Sequence, residues 1–445
     1  MNLKKILLVS FGFFLSIEQG FTVVLGVLSN GVARGADVLM PVDLAMYGLL
    51  ILTSGRRTPQ KHRGIHGFAL AMAALYLLWS GVGEFVAVEK ADFRFGYVHL
   101  ARAILVFFVI LKRINSKKDV IDFTRGLIYG LGFEALIGVW QWQIGPVVLP
   151  FIVVTNEWRA TGTIGVANAF GCYLAMLAPI SIRLALFTKI KPKWLWSAIS
   201  VMSLGALLAT YTRGAWLSLS VALMFFFYLD FLMKKLSRRQ INYLLVAFVI
   251  GLAFTTLKYG ETITGRMADS REAIASNKKH SRMGLAKDAV RIIRQHPLTG
   301  IALNNYRYHA DKEIQGTRIV HNVYLLIMAQ QGVPGIILFL LLNLSVFIVG
   351  FKIRKSQDPT LYHIGMGGLA GMLSNFIYYL VAPDYRLVIL KLHHWRALAM
   401  IVAILIADEH TKKLKQQFML HIRRQKEKKA RALHTSQTTM NETVI

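Results

Sequence analysis

Runs of about twenty apolar residues recur along nearly the whole chain, with short basic segments between them. A helix rises 1.5 Å per residue, so about 20 residues cross the roughly 30 Å hydrocarbon core of a bilayer. The runs fall near residues 6–28, 37–53, 65–86, 96–111, 123–145, 165–187, 194–211, 215–233, 241–257, 321–350, 361–382 and 393–408. They predict an all-α integral membrane protein of about twelve transmembrane helices. No period-two alternation of apolar and polar residues competes with this pattern, which argues against a β-barrel. With 55% hydrophobic and only 17% charged residues, the chain is too apolar for a soluble protein of 445 residues. The first run is longer than a signal-peptide core, and no small-residue cleavage pattern follows it, so it reads as the first helix.

Orientation follows from lysine and arginine. They cluster at Lys4-Lys5, Arg56 to Arg63, Lys112 to Lys118, Lys189 to Lys193, Lys234 to Arg239, Lys352 to Lys355 and from Lys412 onward. A basic segment after every second helix is the positive-inside pattern of a chain that starts and ends in the cytoplasm. The expected organisation is nine helices over residues 1–257, an extracytoplasmic loop over 258–320, three more helices over 321–410 and a basic cytoplasmic tail over 411–445.

A net charge of +29 and a pI near 10.2 would suggest nucleic acid in a soluble protein. Here topology accounts for most of it, and no nucleic-acid partner is expected. Nine of the 52 basic residues lie between Lys412 and Arg431, where anionic headgroups of membrane lipids are the expected neighbours. The single cysteine, Cys172, excludes internal disulfides and cysteine-based metal sites.

The outer loop breaks the charge rule. Lys258 to Val320 holds twelve Lys or Arg against six Asp or Glu, an excess that calls for an anionic partner. Within it, Ser281 to Gln295 reads as a helix with Leu285, Ala289, Ile292 and Ile293 on one side and Lys287, Arg291 and Arg294 on the other, stopped by Pro297 and Gly300. Such a helix is expected to lie on the membrane surface. No carboxylate cluster with metal-ligand spacing accompanies the loop, so a phosphorylated substrate would be neutralised by Arg and Lys, with no metal or cofactor.

Three segments place hydrogen-bonding or charged groups at expected outer boundaries: Trp158-Arg159-Ala160-Thr161-Gly162-Thr163-Ile164-Gly165 with Asn168, Tyr211-Thr212-Arg213-Gly214-Ala215-Trp216, and His321-Asn322-Val323-Tyr324-Leu325 followed by Gln331-Gly332-Val333-Pro334-Gly335. Each alone also reads as a turn, an interfacial anchor or a helix cap. Their order is more specific. Together with Ser281-Arg282 and His296-Pro297-Leu298-Thr299-Gly300, the chain from about Trp158 to Gly335 resembles the O-antigen ligase and polymerase superfamily of bacterial envelope glycosyltransferases. The resemblance implies a GT-C-type helical fold in the bacterial inner membrane with its active site facing the periplasm. It also implies an undecaprenyl-diphosphate-linked glycan donor and, for a ligase, a lipid A-core oligosaccharide acceptor. Arg213 and Arg282 match the family's diphosphate-binding arginines and His321 its catalytic histidine; Arg159, Arg291, Arg294, Asn322 and Tyr324 are further candidates for binding diphosphate or glycan.

Two guanidinium forks can hold diphosphate oxygens by charge-assisted bonds, and a histidine can take the acceptor's proton near neutrality. The clear Thr-Arg-Gly-Ala-Trp and His-Asn-x-Tyr-Leu segments favour a ligase over a polymerase. A transporter or flippase is the alternative from another class. Glu18, Asp43, Glu84 and Glu134 fall in or near spans, as ionisable groups of transporters do. Glu18 and Glu134 are better explained as buried polar packing, with lining of the substrate cavity the alternative for either.

Overall fold

Small polar side chains mark where the long helices begin. Ser116 accepts from Asp119 N before α6 (Lys117–Ile144), as Asn322 does from Leu325 N before the long helix that follows it. Asp358 accepts from Thr360 N and Leu361 N with Pro359 just inside its helix. Each cap occupies an N–H that the helix leaves without a partner. The computed structural model describes residues 3–16, 28–29, 32–33, 41–53, 63–145, 159–235, 281–311 and 319–442, with isolated positions 238, 240 and 242.

Before α6 come α1 (Leu3–Phe14), α2 (Pro41–Leu52), α3 (Arg63–Gly81), α4 (Gly83–Val86) and α5 (Lys90–Arg113). After it follow α7 (Ala167–Phe187), α8 (Lys193–Ala209), α9 (Arg213–Leu232), α10 (Arg282–Gln295), α11 (Val323–Gly350), α12 (Pro359–Tyr378) and α13 (Val388–Glu442). Among the described residues, six helical stretches are long and apolar enough to cross a membrane: Gly67–Val86, Lys90–Arg113, Ala167–Phe187, Arg213–Leu232, Val323–Lys355 and Val388–Glu427. The protein is an all-helical integral membrane protein. Helices α6 and α12 are also long, but they carry buried polar groups such as Asp122, Glu134 and Gln141 on α6 and His363 and Asn375 on α12.

Two expectations are corrected, the extent of the first run and, below, the setting of the amphipathic helix. The first run does not continue as one helix to residue 28: α1 ends at Phe14, and Leu28–Ser29 pair antiparallel with Val32–Ala33. The sequence between those strands is Asn30-Gly31, the dipeptide most favourable to a two-residue hairpin. Beyond the last expected span, α13 runs unbroken through the basic tail to Glu442. The expected span at 241–257, and the loop from 258 to 280, lie outside the described residues.

Helices α7, α12 and α13 form the centre. Backbones approach closely there and between α1 and α6: a Cβ on Gly371 would meet Met176 O at 2.0 Å, and one on Gly126 would meet Val9 O at 2.1 Å. At the end bearing the basic turns, Arg183 of α7 pairs with Asp230 of α9 at 2.8 Å, both buried, and Tyr362 of α12 donates to the same carboxylate.

The amphipathic helix is where the sequence placed it, with Leu285, Ala289, Ile292 and Ile293 buried. Its apolar face does not lie on the membrane. It packs into a cluster with Ile301, Tyr306, Val320, Leu326 and Ala329, so the first turns of α11 cover it. The unit is anchored by a break in α11. Gly332 adopts a left-handed φ of 69°, and a Cβ there would stand 1.9 Å from Leu298 O. The hydrogen bonds that the break frees are taken up across the joint: Val333 N donates to Pro297 O at 2.8 Å, and Trp79 Nε1 donates to Gln331 O at 2.8 Å. The Gln331 amide is held by Tyr76 at 3.0 Å and Ser80 at 3.1 Å. His-Pro-Leu-Thr-Gly and Gln-Gly-Val-Pro-Gly are thus two halves of one joint.

Candidate functional site

Arg159 stands between two of the sequence motifs. Its Nε donates to Thr210 O at 2.8 Å, and one terminal amino group donates to Asn168 Oδ1 at 2.8 Å and reaches Thr212 Oγ1 at 3.4 Å. Ala160 N adds a bond to Ala209 O at 3.0 Å, and the Thr212 hydroxyl donates to Ala167 O at 3.2 Å. The start of α7 and the α8–α9 turn are therefore knotted together. Tyr211 in that turn has a left-handed φ of 50°, unusual for a residue with a side chain. Two residues later the half-buried Arg213 opens α9.

A third motif reaches the same end through the turn after α12. A Cβ on Gly214 would lie 3.0 Å from Val381 and 3.3 Å from the Tyr378 ring. The Tyr378 hydroxyl is 2.9 Å from Asn168 O and 2.8 Å from Asp384 Oδ2. In the same turn, Tyr379 O accepts from Val323 N at 2.9 Å and Leu380 O accepts from the Asn322 amide at 3.1 Å. Burial pushes the Asp384 carboxyl above its ordinary value, against the bond from Tyr378 and the charge of Arg386. Arg159, Arg213 and the His321–Asn322 helix start are therefore gathered at one end of the bundle around residues 378–384.

His321 is half-buried, with Nδ1 3.0 Å from Ile319 O. A carbonyl only accepts, so Nδ1 carries the proton and Nε2 is the ring's basic nitrogen in the neutral form. Arg282 is the exposed first residue of α10, after Ser281, whose hydroxyl accepts from Gly284 N at 3.1 Å. One turn on, Leu285 shares the cluster that contains Val320, the residue before His321.

The remaining candidates have structural partners. Asn322 caps α11, and the Tyr324 hydroxyl donates to Phe376 O at 2.9 Å. Arg291 binds Asp288 at 2.6 Å, Gln295 at 3.0 Å and His309 O at 2.7 Å, which ties it to its own helix and to the following loop. Arg294 is exposed in the last turn of α10. Beside Arg291, burial and then the charges of His296 and Arg291 hold the His309 ring below the ordinary histidine value.

Reading the motifs one at a time missed what lies beneath them. Glu134 and Gln141 on α6 bind the Thr161–Thr163 backbone, and Tyr378 joins α7 to the 378–384 turn. The available signal was on α6, where Glu134, Gly138 and Gln141 fall on one face at the helical repeat. Among the described residues, no group of three His, Cys, Asp or Glu side chains is arranged to hold a metal ion.

Residues 198–340 match the family model described as O-antigen ligase, a stretch that runs from α8 past the break in α11 and contains Arg213, Arg282 and His321. No curated protein matches the chain.

Proposed function

Because residues 198–340 carry an O-antigen ligase domain, we propose that this chain is a glycosyltransferase that moves a glycan from an undecaprenyl-diphosphate carrier to a hydroxyl of the lipid A-core oligosaccharide. On this reading it is a GT-C-type protein of about twelve helices in the bacterial inner membrane, with both termini cytoplasmic and residues 258–320 in the periplasm. The observation that carries the proposal is the family match over residues 198–340, which contain two of the segments packed against the 378–384 turn, at Arg213-Gly214 and at His321-Asn322.

In the proposed reaction the bond from glycan C1 to the diphosphate oxygen breaks, and the acceptor oxygen bonds to C1. The acceptor's proton goes to His321 Nε2, and the carrier leaves as its diphosphate. Arg213 and Arg282 bind the diphosphate and stabilise the charge that grows on it. Arg282 suits this role electrostatically, since a cation at the positive end of α10 is disfavoured until an anion joins it. Arginine thereby does what a divalent cation does elsewhere, and transfer is metal-independent. Arg294 and the half-buried face around Asn322 and Tyr324 are the proposed contacts for glycan.

The test is reconstitution of purified protein with lipid-linked glycan and lipid A-core in excess EDTA. Product is the expected result. Activity that requires added magnesium or manganese would overturn the metal-free mechanism, and donor movement without product would mean a flippase. A deletion strain separates the two enzymatic readings: accumulated carrier-linked polymer indicates a missing ligase, and accumulated single repeats indicate a missing polymerase.

A further inference from the structure

The Thr161–Thr163 segment is short of regular structure, with only the three-residue turn Gly162–Ile164 among the described residues between α6 and α7, yet almost every polar group in it is bound from one helix. Gln141 Oε1 accepts from Thr161 N at 2.8 Å and from Gly162 N at 2.9 Å, and Gln141 Nε2 donates to Gly162 O at 3.1 Å. Two turns earlier on the same face, Glu134 accepts from Thr163 N at 2.9 Å and from the Thr163 hydroxyl at 2.5 Å. Glu134 is fully buried. Gly162 has a left-handed φ of 57°, and a Cβ there would stand 2.4 Å from Glu134 Oε2. These contacts give the Arg-Ala-Thr-Gly-Thr motif a physical reason: the glycine fits where a side chain does not, and the threonine after it supplies both donors for Glu134.

We propose that Glu134 and Gln141 are positioning residues for transfer, which set the height and orientation of the 159–163 turn and, through Arg159, the placement of Arg213. The relay is continuous: α6 holds Thr161 to Thr163, Arg159 two residues upstream binds Thr210 O and Asn168, and Arg213 begins the helix after that turn. A carboxylate that served only to fill space would gain nothing from directing both oxygens at one residue, and burying it without those bonds costs several kcal/mol. Because Glu134 is wholly enclosed, it acts through the turn and does not touch substrate. The proposal rests on the transferase reading for its functional half only.

The test uses the full-length protein in lipid with Thr163→Val, Thr163→Ser and Gln141→Leu, reading transfer kinetics, thermal unfolding and hydrogen exchange of residues 159–165 and 210–214. Thr163→Val and Gln141→Leu are expected to lower kcat by about ten- to a hundred-fold, the size that an ångström-scale misplacement produces. The KM for the lipid-linked donor should move less than about threefold, and exchange in both segments should quicken by more than any fall in melting temperature accounts for. Thr163→Ser keeps the hydroxyl and should stay within about threefold of the native rate. Equal damage from Ser and Val, or a kcat loss that only tracks lowered thermal stability, would overturn the proposal. So would unchanged exchange at 210–214. Exchange that quickens as expected in a protein that is natively inactive toward the donor would support the positioning relay and overturn the transferase reading.

Discussion

Two knots in this protein are built from the same set of motifs and do different work. The Arg159 knot joins α7 to the α8–α9 turn with charged and hydroxyl side chains, and its product is a half-buried arginine, Arg213, at the head of a helix. The Pro297–Gly332 joint is mostly backbone: main-chain bonds and two left-handed glycines, Gly300 and Gly332, with a Trp, a Tyr and a Ser closing around Gln331. Motif residues can therefore owe their identity to chemistry or to close backbone approach. On the proposed reading, side-chain function belongs to the first knot and shape to the second.

The comparison breaks most visibly at Arg213. Arg213→Ala is expected to cut transfer by about 10²- to 10³-fold, the effect of removing one pre-organised donor from a catalytic site, with protein yield and melting temperature unchanged. Arg213→Lys should recover little, because an ammonium lacks the bidentate fork. If both variants transfer normally, the Arg159 knot serves shape as well. At the joint the pattern reverses: Gly332→Ala combines a disfavoured backbone region with the Leu298 O overlap, and should cost roughly 1–3 kcal/mol or more of stability. Its signature is a lower melting temperature and lower yield, with residual transfer proportional to folded protein.

Arg291 sharpens the distinction, since charge alone made it a candidate. With Asp288, Gln295 and His309 O already bound, Arg291→Ala should loosen exchange in α10 and lower transfer far less than Arg213→Ala, by less than about tenfold. An effect equal to that of Arg213 would return Arg291 to the diphosphate. The smallest expected effect is one of pH. The folded His309 ring binds a proton less readily than the unfolded one, so the unfolded chain takes up more protons as pH falls past about 6.5. The stability of α10 should therefore be fully present above that value and decline below it, and His309→Gln should flatten the decline when exchange is followed from pH 7.5 to 5.5.

The parts legible from sequence are those governed by local pattern. The apolar runs gave the helices α3, α5 to α9, α11 and α12 to within about six residues at each end and the start of α13 to within five, and the spacing of Leu285, Ala289, Ile292 and Ile293 gave the buried side of α10. What covers that side was not legible. An apolar stripe meets lipid or protein with equal ease, and only the Pro297–Gly332 joint, made by residues far apart in sequence, decides for protein. The site shows the same division. Arg213 and His321 were visible as polar groups at helix starts, whereas Glu134 reads as any buried carboxylate until the turn it binds is placed beside it. The end of the last helix was missed for another reason: positive charge beyond a span identifies a membrane boundary but does not stop a helix, and neither Gly nor Pro occurs between Val388 and Glu442 to stop it.

That helix has a mechanical consequence. Its 55 residues make a rod of about 80 Å. One end begins two residues after Arg386, against the Asp384 turn, and its first part is clamped inside the bundle as far as Ala407. From residue 413 to 427 it stands largely clear, with Leu414, Phe418, Met419 and Leu420 exposed to whatever lies alongside. A rod gripped over about the first third of its length holds the rest at a fixed bearing, as a mast does. Whatever attaches near Phe418 is carried at a set distance from the Asp384 turn, and a sideways load on it is taken by the Trp395 and Leu398 packing before it can reach that turn.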